Sequence, residues 1–301
     1  MPTSDLTATV KRFYGSNVIL QLPDGREYEA HTSSRSKSLV CGDEVVIEQR
    51  TGGYFVSRVI ARDSEFFRAD GFGRRKVIAA NVDQILLVIA PEPAPNAQVI
   101  DRYWVAARNC DIPFTLIINK CDLSSGVELS EIVSLYESLD LYVHSCSAKT
   151  GDGVRQLKQL LGNKTSVLVG PSGVGKSSIV NTLLGDDVAE IGKLSDRRDE
   201  GRHTTTTSNF YDFLVDEKHT SGRIIDAPGI REFGLGHYDQ PSLEWGFVEI
   251  HAAAENCRFR DCQHNGTPGC AVEQAVQAGE INAGRLASYL QLFSQMKKDG
   301  V

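Results

Sequence analysis

A glycine-rich run in the second half of the chain constrains the fold most, because it fits the phosphate-binding motif G-x-x-x-x-G-K-[ST]. Residues 166–169 before it are typical of a short buried strand, and residues 178–184 after it carry apolar side chains at helical spacing. A glycine loop between a strand and a helix can turn its backbone N–H groups towards an anion, and the helix N-terminus adds a partial positive charge. We therefore expect a nucleoside triphosphate to be bound by Gly170, Pro171, Ser172, Gly173, Val174, Gly175, Lys176, Ser177 and Ser178.

Side chains near this loop are expected to handle the terminal phosphates and a magnesium ion. Lys176 should reach the β- and γ-phosphates, and the Ser177 hydroxyl should bind Mg²⁺. The run Asp226-Ala227-Pro228-Gly229 follows a predicted strand and fits the second metal-binding motif of such sites. There Asp226 would order the magnesium ion through water, and the Gly229 N–H would sense the γ-phosphate.

Two short motifs earlier in the chain indicate that the base is guanine. Asn119-Lys120-Cys121-Asp122 follows a buried apolar strand, and its carboxylate can accept from both N1–H and the exocyclic amine of guanine. Adenine has an acceptor in place of N1–H and would leave this carboxylate unpaired. Lys120 can lay its stem across the base, and Asn119 can join the base-binding loop to the phosphate loop. Ser147-Ala148-Lys149 fits the second base-binding loop, where a backbone N–H near Ala148 would meet guanine O6.

Composition excludes several classes of protein. The chain has 301 residues, 41% hydrophobic and 24% charged, as soluble globular proteins do. No apolar run approaches about 20 residues, and residues 1–5 are neither basic nor apolar, so we expect no membrane contact and no secretory signal. The net charge of −7 argues against general affinity for nucleic acid, although it leaves room for local basic patches.

The seven cysteines indicate a reducing cytoplasm and a metal site. Four of them are scattered, and the others form the cluster Cys257-x₄-Cys262-x-His264-x₅-Cys270. Three thiolates and an imidazole would fill a tetrahedral zinc site and leave no open position, so we expect the metal to be structural. Free thiols beside a surface histidine are the alternative, and His251 is a substitute ligand outside the tight spacing.

The pattern of apolar residues divides the chain into four parts. Residues 1–68 resemble five or so short strands of a small closed barrel such as an OB-fold, which either binds oligonucleotides or docks protein. Residues 69–80 are predicted as a basic linker, either solvated or in contact with phosphate. Residues 81–235 alternate strands and helices, as an α/β domain with a mostly parallel sheet does, and residues 236–301 form a zinc-binding helical part.

Taken together, the nucleotide motifs are those of Ras-like GTPases in a changed order. An ordinary member runs from phosphate loop to Asp-x-x-Gly and then to the guanine motifs, whereas here the guanine motifs come first, which indicates circular permutation. A permuted GTPase between an OB-like barrel and a cysteine-rich tail resembles the bacterial ribosome small subunit-dependent GTPase A family. The resemblance covers nearly the whole chain and includes residues 201–206, 226–231 and 257–272.

This resemblance implies a cytoplasmic monomer that assists late maturation of the 30S ribosomal subunit and binds 16S rRNA. It implies GTP and GDP as ligands, Mg²⁺ held by Ser177, Thr205 and Asp226, a structural Zn²⁺, and slow hydrolysis until the subunit stimulates it. Other assembly factors are further candidate partners.

The sequence leaves the catalytic group open. Ile230 follows Asp-x-x-Gly, where many Ras-like enzymes have a water-orienting glutamine, and isoleucine cannot hydrogen-bond water. His203 is the candidate replacement, with an ordinary loop histidine as the alternative, and Thr205 is our choice among Thr204–Thr207 for the magnesium-binding hydroxyl. Two rival functions are a GTP-gated RNA-binding module, favoured by Ile230, and a P-loop ATPase or kinase, which Asp122 argues against.

Overall fold

The computed structural model describes residues 6–14, 17–32, 39–51, 53–70, 73–123, 126–185, 208–216, 220–227 and 234–299. The first part is a closed barrel with strand order β1-β2-β3-β5-β4, which confirms the predicted small barrel. Its strands are β1 (Leu6–Tyr14), β2 (Asn17–Gln21), β3 (Glu27–Thr32), β4 (Glu44–Arg50) and β5 (Gly53–Val59). Side chains that alternate along the strands fill the barrel, and they include Val10, Leu20, Val45 and Val56.

A hairpin follows the barrel where the sequence predicts a linker. Strands β6 (Glu65–Ala69) and β7 (Arg75–Ala80) pair antiparallel. The linker prediction is therefore wrong over residues 75–80. The segment resembles a linker because β7 begins with the charged, exposed residues Arg75 and Lys76. Its last residues, Ala79 and Ala80, are completely buried. The Ala80 N–H donates to Cys41 O of the barrel at 3.0 Å.

The central part is built on a six-stranded sheet with order β10-β9-β8-β11-β13-β12. Its strands are β8 (Gln84–Ile89), β9 (Phe114–Ile118), β10 (Val143–Ser145), β11 (Thr165–Val169), β12 (Asn209–Leu214) and β13 (Ser221–Asp226). Every pairing is parallel except that of β12 with β13, so the mostly parallel sheet is confirmed. The helices are α1 (Ala97–Asn109), α2 (Val127–Glu137), α3 (Val154–Leu161) and α4 (Lys176–Leu184).

The strand order of the central sheet brings the reordered motifs together. Strand β11, which leads into the phosphate loop, lies between β8 and β13, although β8 and β9 come earlier in the chain. The guanine motif after β9 and the phosphate loop after β11 both leave the carboxyl ends of parallel strands. They therefore meet at one edge of the sheet, where ligands of open α/β sheets bind.

The last part is helical and packs against the central part. Its helices are α5 (Gln240–Gly246), α6 (Val248–Ala254), α7 (Ala271–Gln277) and α8 (Ala283–Asp299). One apolar core continues from α1 into these helices, with Val105 and Ile100 on one side and Leu243, Phe247 and Tyr289 on the other. No helix among the described residues is long and apolar enough to cross a membrane.

Candidate functional site

The phosphate loop is shaped by glycines that no other residue could replace. Gly170 and Gly175 have φ of 140° and 91°, a region that side chains rarely adopt. A Cβ on Gly170 would lie 2.3 Å from Val88 O, and one on Gly175 would lie 2.3 Å from Asn119 Nδ2. The loop backbone is therefore packed closely on its neighbours, while Ser177 and Ser178 at the start of α4 are exposed and open to a ligand.

Lys176 and Asp226 are two charged residues that interact beside the phosphate loop. Lys176 Nζ donates to Gly170 O at 2.8 Å and to Pro171 O at 2.7 Å, and burial lowers the pKa of the ammonium. Burial raises the pKa of Asp226, and attraction to Lys176 partly offsets that rise. Asp226 Oδ1 is buried and has no hydrogen-bond partner among the residues that the structure describes. An unsatisfied carboxylate oxygen beside a phosphate loop fits a magnesium ion that is held through water.

Asn119 joins the base-binding loops to the phosphate loop. Its Nδ2 donates to Val174 O at 2.9 Å, and its Oδ1 accepts from the Ala148 N–H at 3.1 Å. The side chain is buried. One amide therefore fixes the positions of three loops whose residues lie far apart in the sequence.

Lys120 and Asp122, the residues expected to contact the base, are both held by hydrogen bonds to other loops. Lys120 has φ of 61°, and its Nζ donates to Glu92 O and to Gly173 O, both at 2.7 Å. Asp122 is exposed, and its Oδ1 accepts from the buried Ser147 hydroxyl at 2.6 Å, which lowers the pKa of the carboxyl. The carboxylate is thus kept ionised and oriented, as recognition of two guanine N–H groups requires.

Two other residues that the sequence assigns to nucleotide binding, Cys121 and Lys149, lie on the surface. Cys121 and Lys149 are exposed, and no hydrogen bond from either side chain to the base-binding residues is found in the described part of the chain. The candidate catalytic residues His203, Thr205 and Gly229, with Ile230, lie outside the described residues.

The four predicted zinc ligands come together in the helical part. One ligand atom from each of Cys257, Cys262, His264 and Cys270 lies within 4.8 Å of the others. His264 Nδ1 is 3.4 Å from Cys270 Sγ and 3.7 Å from Cys257 Sγ. His264 is buried and has φ of 56°, which is uncommon for a residue with a side chain. Three thiols and one imidazole grouped within this distance suit Zn²⁺.

Two contacts at these sites were not expected from the sequence. The sequence predicts Ser147 in a base-binding loop. Its hydrogen bond to Asp122 is not predicted, because it depends on β9 and β10 being neighbours in the sheet. Glu244 lies 3.0 Å from His264 Nε2 although it precedes the cysteine cluster, and no spacing motif marks it. His251 is not among the converging ligands.

Comparison with known proteins gives concordant results. The model of the RsgA GTPase family matches residues 59–236. The small ribosomal subunit biogenesis GTPase RsgA of Ectopseudomonas mendocina is 43% identical over 279 residues, which are 91% of this chain and 80% of the relative. The protein of the same name from Pseudomonas putida is 39% identical over 296 residues, 95% of this chain and 84% of the relative.

Solved structures show the same architecture. The crystal structure of YjeQ from Thermotoga maritima superposes with a TM-score of 0.73 at 27% identity, covering 97% of this chain and 98% of that one. YloQ, described as a circularly permuted GTPase, has a TM-score of 0.67 at 21% identity and covers 98% of this chain and 96% of its own. The second likeness concerns the fold alone.

Proposed function

This chain belongs to the RsgA GTPase family, and on that premise we propose that it binds the 30S ribosomal subunit and assists its late maturation. The relatives named as small ribosomal subunit biogenesis GTPases match more than nine-tenths of the chain, which supports the partner. The observation that carries the nucleotide chemistry is Asn119, whose amide joins the phosphate loop to the base-binding loop. We further propose that the subunit is recognised through 16S rRNA, that the protein acts as a cytoplasmic monomer, and that other assembly factors are further partners.

Each part of the site has a role in binding and orienting GTP. The loop from Gly170 to Ser178 surrounds the phosphates, and Asp122 selects guanine with Ser147 holding its carboxylate. Ser177, Thr205 and Asp226 would hold Mg²⁺, which neutralises charge that develops on the phosphates. The four residues of the cysteine cluster would hold a structural Zn²⁺.

Hydrolysis transfers the γ-phosphoryl group to water, and we propose that this chain orients the water poorly on its own. Ile230 cannot hydrogen-bond water, so His203 takes that role once the subunit orders its loop, while the Gly229 N–H contacts the γ-phosphate. Intrinsic Ras-type hydrolysis is only on the order of 10⁻⁴ s⁻¹ even with its glutamine. Turnover should therefore be slow until the subunit binds. By linkage, the GTP state should bind the subunit more tightly than the GDP state.

The test is GTP turnover with and without purified 30S subunits. We expect strong stimulation of the wild-type protein, and loss of most of it in His203→Ala with nucleotide affinity nearly unchanged. His219→Ala, outside every nucleotide motif, is the matched control. Equal stimulation of His203→Ala and wild type would assign the water to another group, and no stimulation at all would favour the GTP-gated RNA-binding module.

A further inference from the structure

The imidazole of His264 is held between the thiols and a carboxylate that belongs to a different part of the chain. Its Nδ1 faces Cys270 Sγ at 3.4 Å and Cys257 Sγ at 3.7 Å, whereas its Nε2 lies 3.0 Å from Glu244 Oε2. The ring is 1% exposed, so water does not compete for either nitrogen. The two ring nitrogens therefore have different partners of different chemistry.

We propose that Glu244 is a positioning residue for zinc, whose carboxylate accepts the Nε2–H of His264 and leaves the Nδ1 lone pair for the metal. This inference rests on the proposed zinc site. A neutral imidazole carries one N–H and one lone pair, and an ionised carboxylate only accepts. The proton is therefore placed on Nε2, and the tautomer that binds the metal through Nδ1 is selected before the metal arrives.

Helix α5, which carries Glu244, is anchored on α1 by contacts next to this residue. Gly246 packs so closely on α1 that a Cβ there would lie 2.5 Å from Val105 Cγ2. Asn109 Nδ2 donates to Ser242 O at 2.9 Å, and Arg108 Nε donates to Trp245 O at 3.0 Å. These contacts lie on both sides of Glu244 in the sequence, so α1 of the nucleotide-binding part positions the backbone from which the carboxylate extends towards His264.

A second side chain of α5 contacts residues 257–270, the loop that carries the four proposed zinc ligands. Gln240 Nε2 donates to the backbone oxygen of Cys262, another proposed ligand, at 2.8 Å. Residues four apart lie on one face of a helix, so Gln240 and Glu244 present neighbouring contacts to the loop. The contact at Glu244 is the one that reaches a metal-binding side chain.

The nearby His251 does not account for the position of Glu244. His251 Nδ1 is 3.6 Å from Glu244 Oε1, beyond hydrogen-bond distance, and within the described part of the chain that nitrogen has no hydrogen-bond partner. The other carboxylate oxygen makes the short contact with His264. Glu244 is thus directed at the zinc ligand.

The experiment compares zinc affinity among variants of the full-length protein by competition with a chromogenic chelator. Loss of a carboxylate behind a zinc-bound histidine typically weakens binding 10–100-fold, and we expect that loss in Glu244→Leu. Glu244→Gln keeps an oxygen acceptor without the charge and should be weakened less. Glu255→Leu and Glu255→Gln, at an exposed position at the end of α6, are the matched controls and should bind zinc as the wild type does.

A second measurement reports the tautomer directly. In ¹⁵N spectra of the zinc-loaded wild-type protein, we expect the His264 proton on Nε2 and the metal on Nδ1. The reverse assignment would overturn the proposal, as would Glu244→Leu and Glu244→Gln that both bind zinc with wild-type affinity. If Glu244→Leu does not fold, Glu244→Gln and the wild-type spectrum still decide. A wild-type protein that binds no zinc would instead refute the zinc site itself.

Discussion

One carboxylate, Asp122, is expected to decide which base this protein accepts. Its Oδ1 is held by the buried Ser147 hydroxyl, which also lowers the pKa of the carboxyl. We expect Asp122→Asn to weaken GTP binding and to admit xanthosine triphosphate, whose exocyclic oxygen can accept from the new amide. Sites that hydrogen-bond a substrate group reject an unmatched analogue by roughly 10⁴-fold.

Competition of labelled GDP with both triphosphates measures this change. Asp111→Asn, an exposed position in the turn after α1, provides a control with the same chemical change. Retention of full GTP preference in Asp122→Asn would show that the base lies elsewhere.

Among the elements, strand β12 is the one that connects the barrel to the nucleotide-binding sheet. It is one of the two edge strands of the sheet, and the barrel covers part of it: the buried Lys11 forms an ion pair with Asp212, and its Nζ lies 4.5 Å from the Phe210 ring centroid. Cys41 Sγ of the barrel also contacts Ser208 O at 3.2 Å. Exposed edges invite pairing with other chains, so this cover protects the sheet.

We expect Lys11→Glu to lower the free energy of unfolding, because it places two carboxylates together in a site with little water. Breaking a buried pair costs about 3–5 kcal/mol, and the partial exposure of Asp212 should reduce that to about 2 kcal/mol. The double variant Lys11→Glu with Asp212→Lys should recover part of the loss. Urea unfolding of the wild type, Lys11→Glu, Asp212→Lys and the double variant measures these free energies, with Lys76→Met at an exposed position of β7 as the control. If the loss of unfolding free energy in the double variant equals the sum of the losses in the two single variants, the ion pair contributes nothing to stability.

Sequence patterns predicted elements well where motif and burial agree. The strands before the phosphate loop and before Asn119 are short, mostly apolar and almost completely buried, and each lies inside the sheet with a strand on both sides. Strand β7 was missed because its first residues are charged and exposed and only its last ones are buried. Glu244 was missed for a different reason, since a contact between α5 and the zinc loop depends on tertiary packing that no local spacing encodes.

Across the whole molecule, the zinc-binding part and the nucleotide-binding part share one core. Arg285 of α8 is buried and pairs with Asp101 of α1 and with Glu249 of α6. Structural zinc contributes roughly 10–16 kcal/mol of apparent binding energy in small peptides. We expect Cys262→Ser to release the metal and unfold the tail while GTP binding persists. Because α1 would then lose the apolar contacts with helices α5 to α8, the rest of the protein should also melt at a lower temperature.

Metal analysis, GDP titration and calorimetry test these three statements separately. Cys110→Ser, a half-buried thiol outside the cluster, serves as the control and should retain its zinc. Purified wild-type protein without zinc would contradict the first statement, and an unchanged melting temperature in Cys262→Ser would contradict the last.

The strand order of the central sheet also has a consequence for how the protein is made. Synthesis proceeds from the N-terminus, so β8 and β9 leave the ribosome before β11, which must later pair with the free edge of β8. Every residue of β8 is buried in the finished fold, and such an edge is prone to association while it waits. The predicted base-binding loops are likewise complete before the phosphate loop exists. GTP therefore cannot guide the folding of the first half of its own binding domain, and can stabilise the domain only after the phosphate loop has joined it.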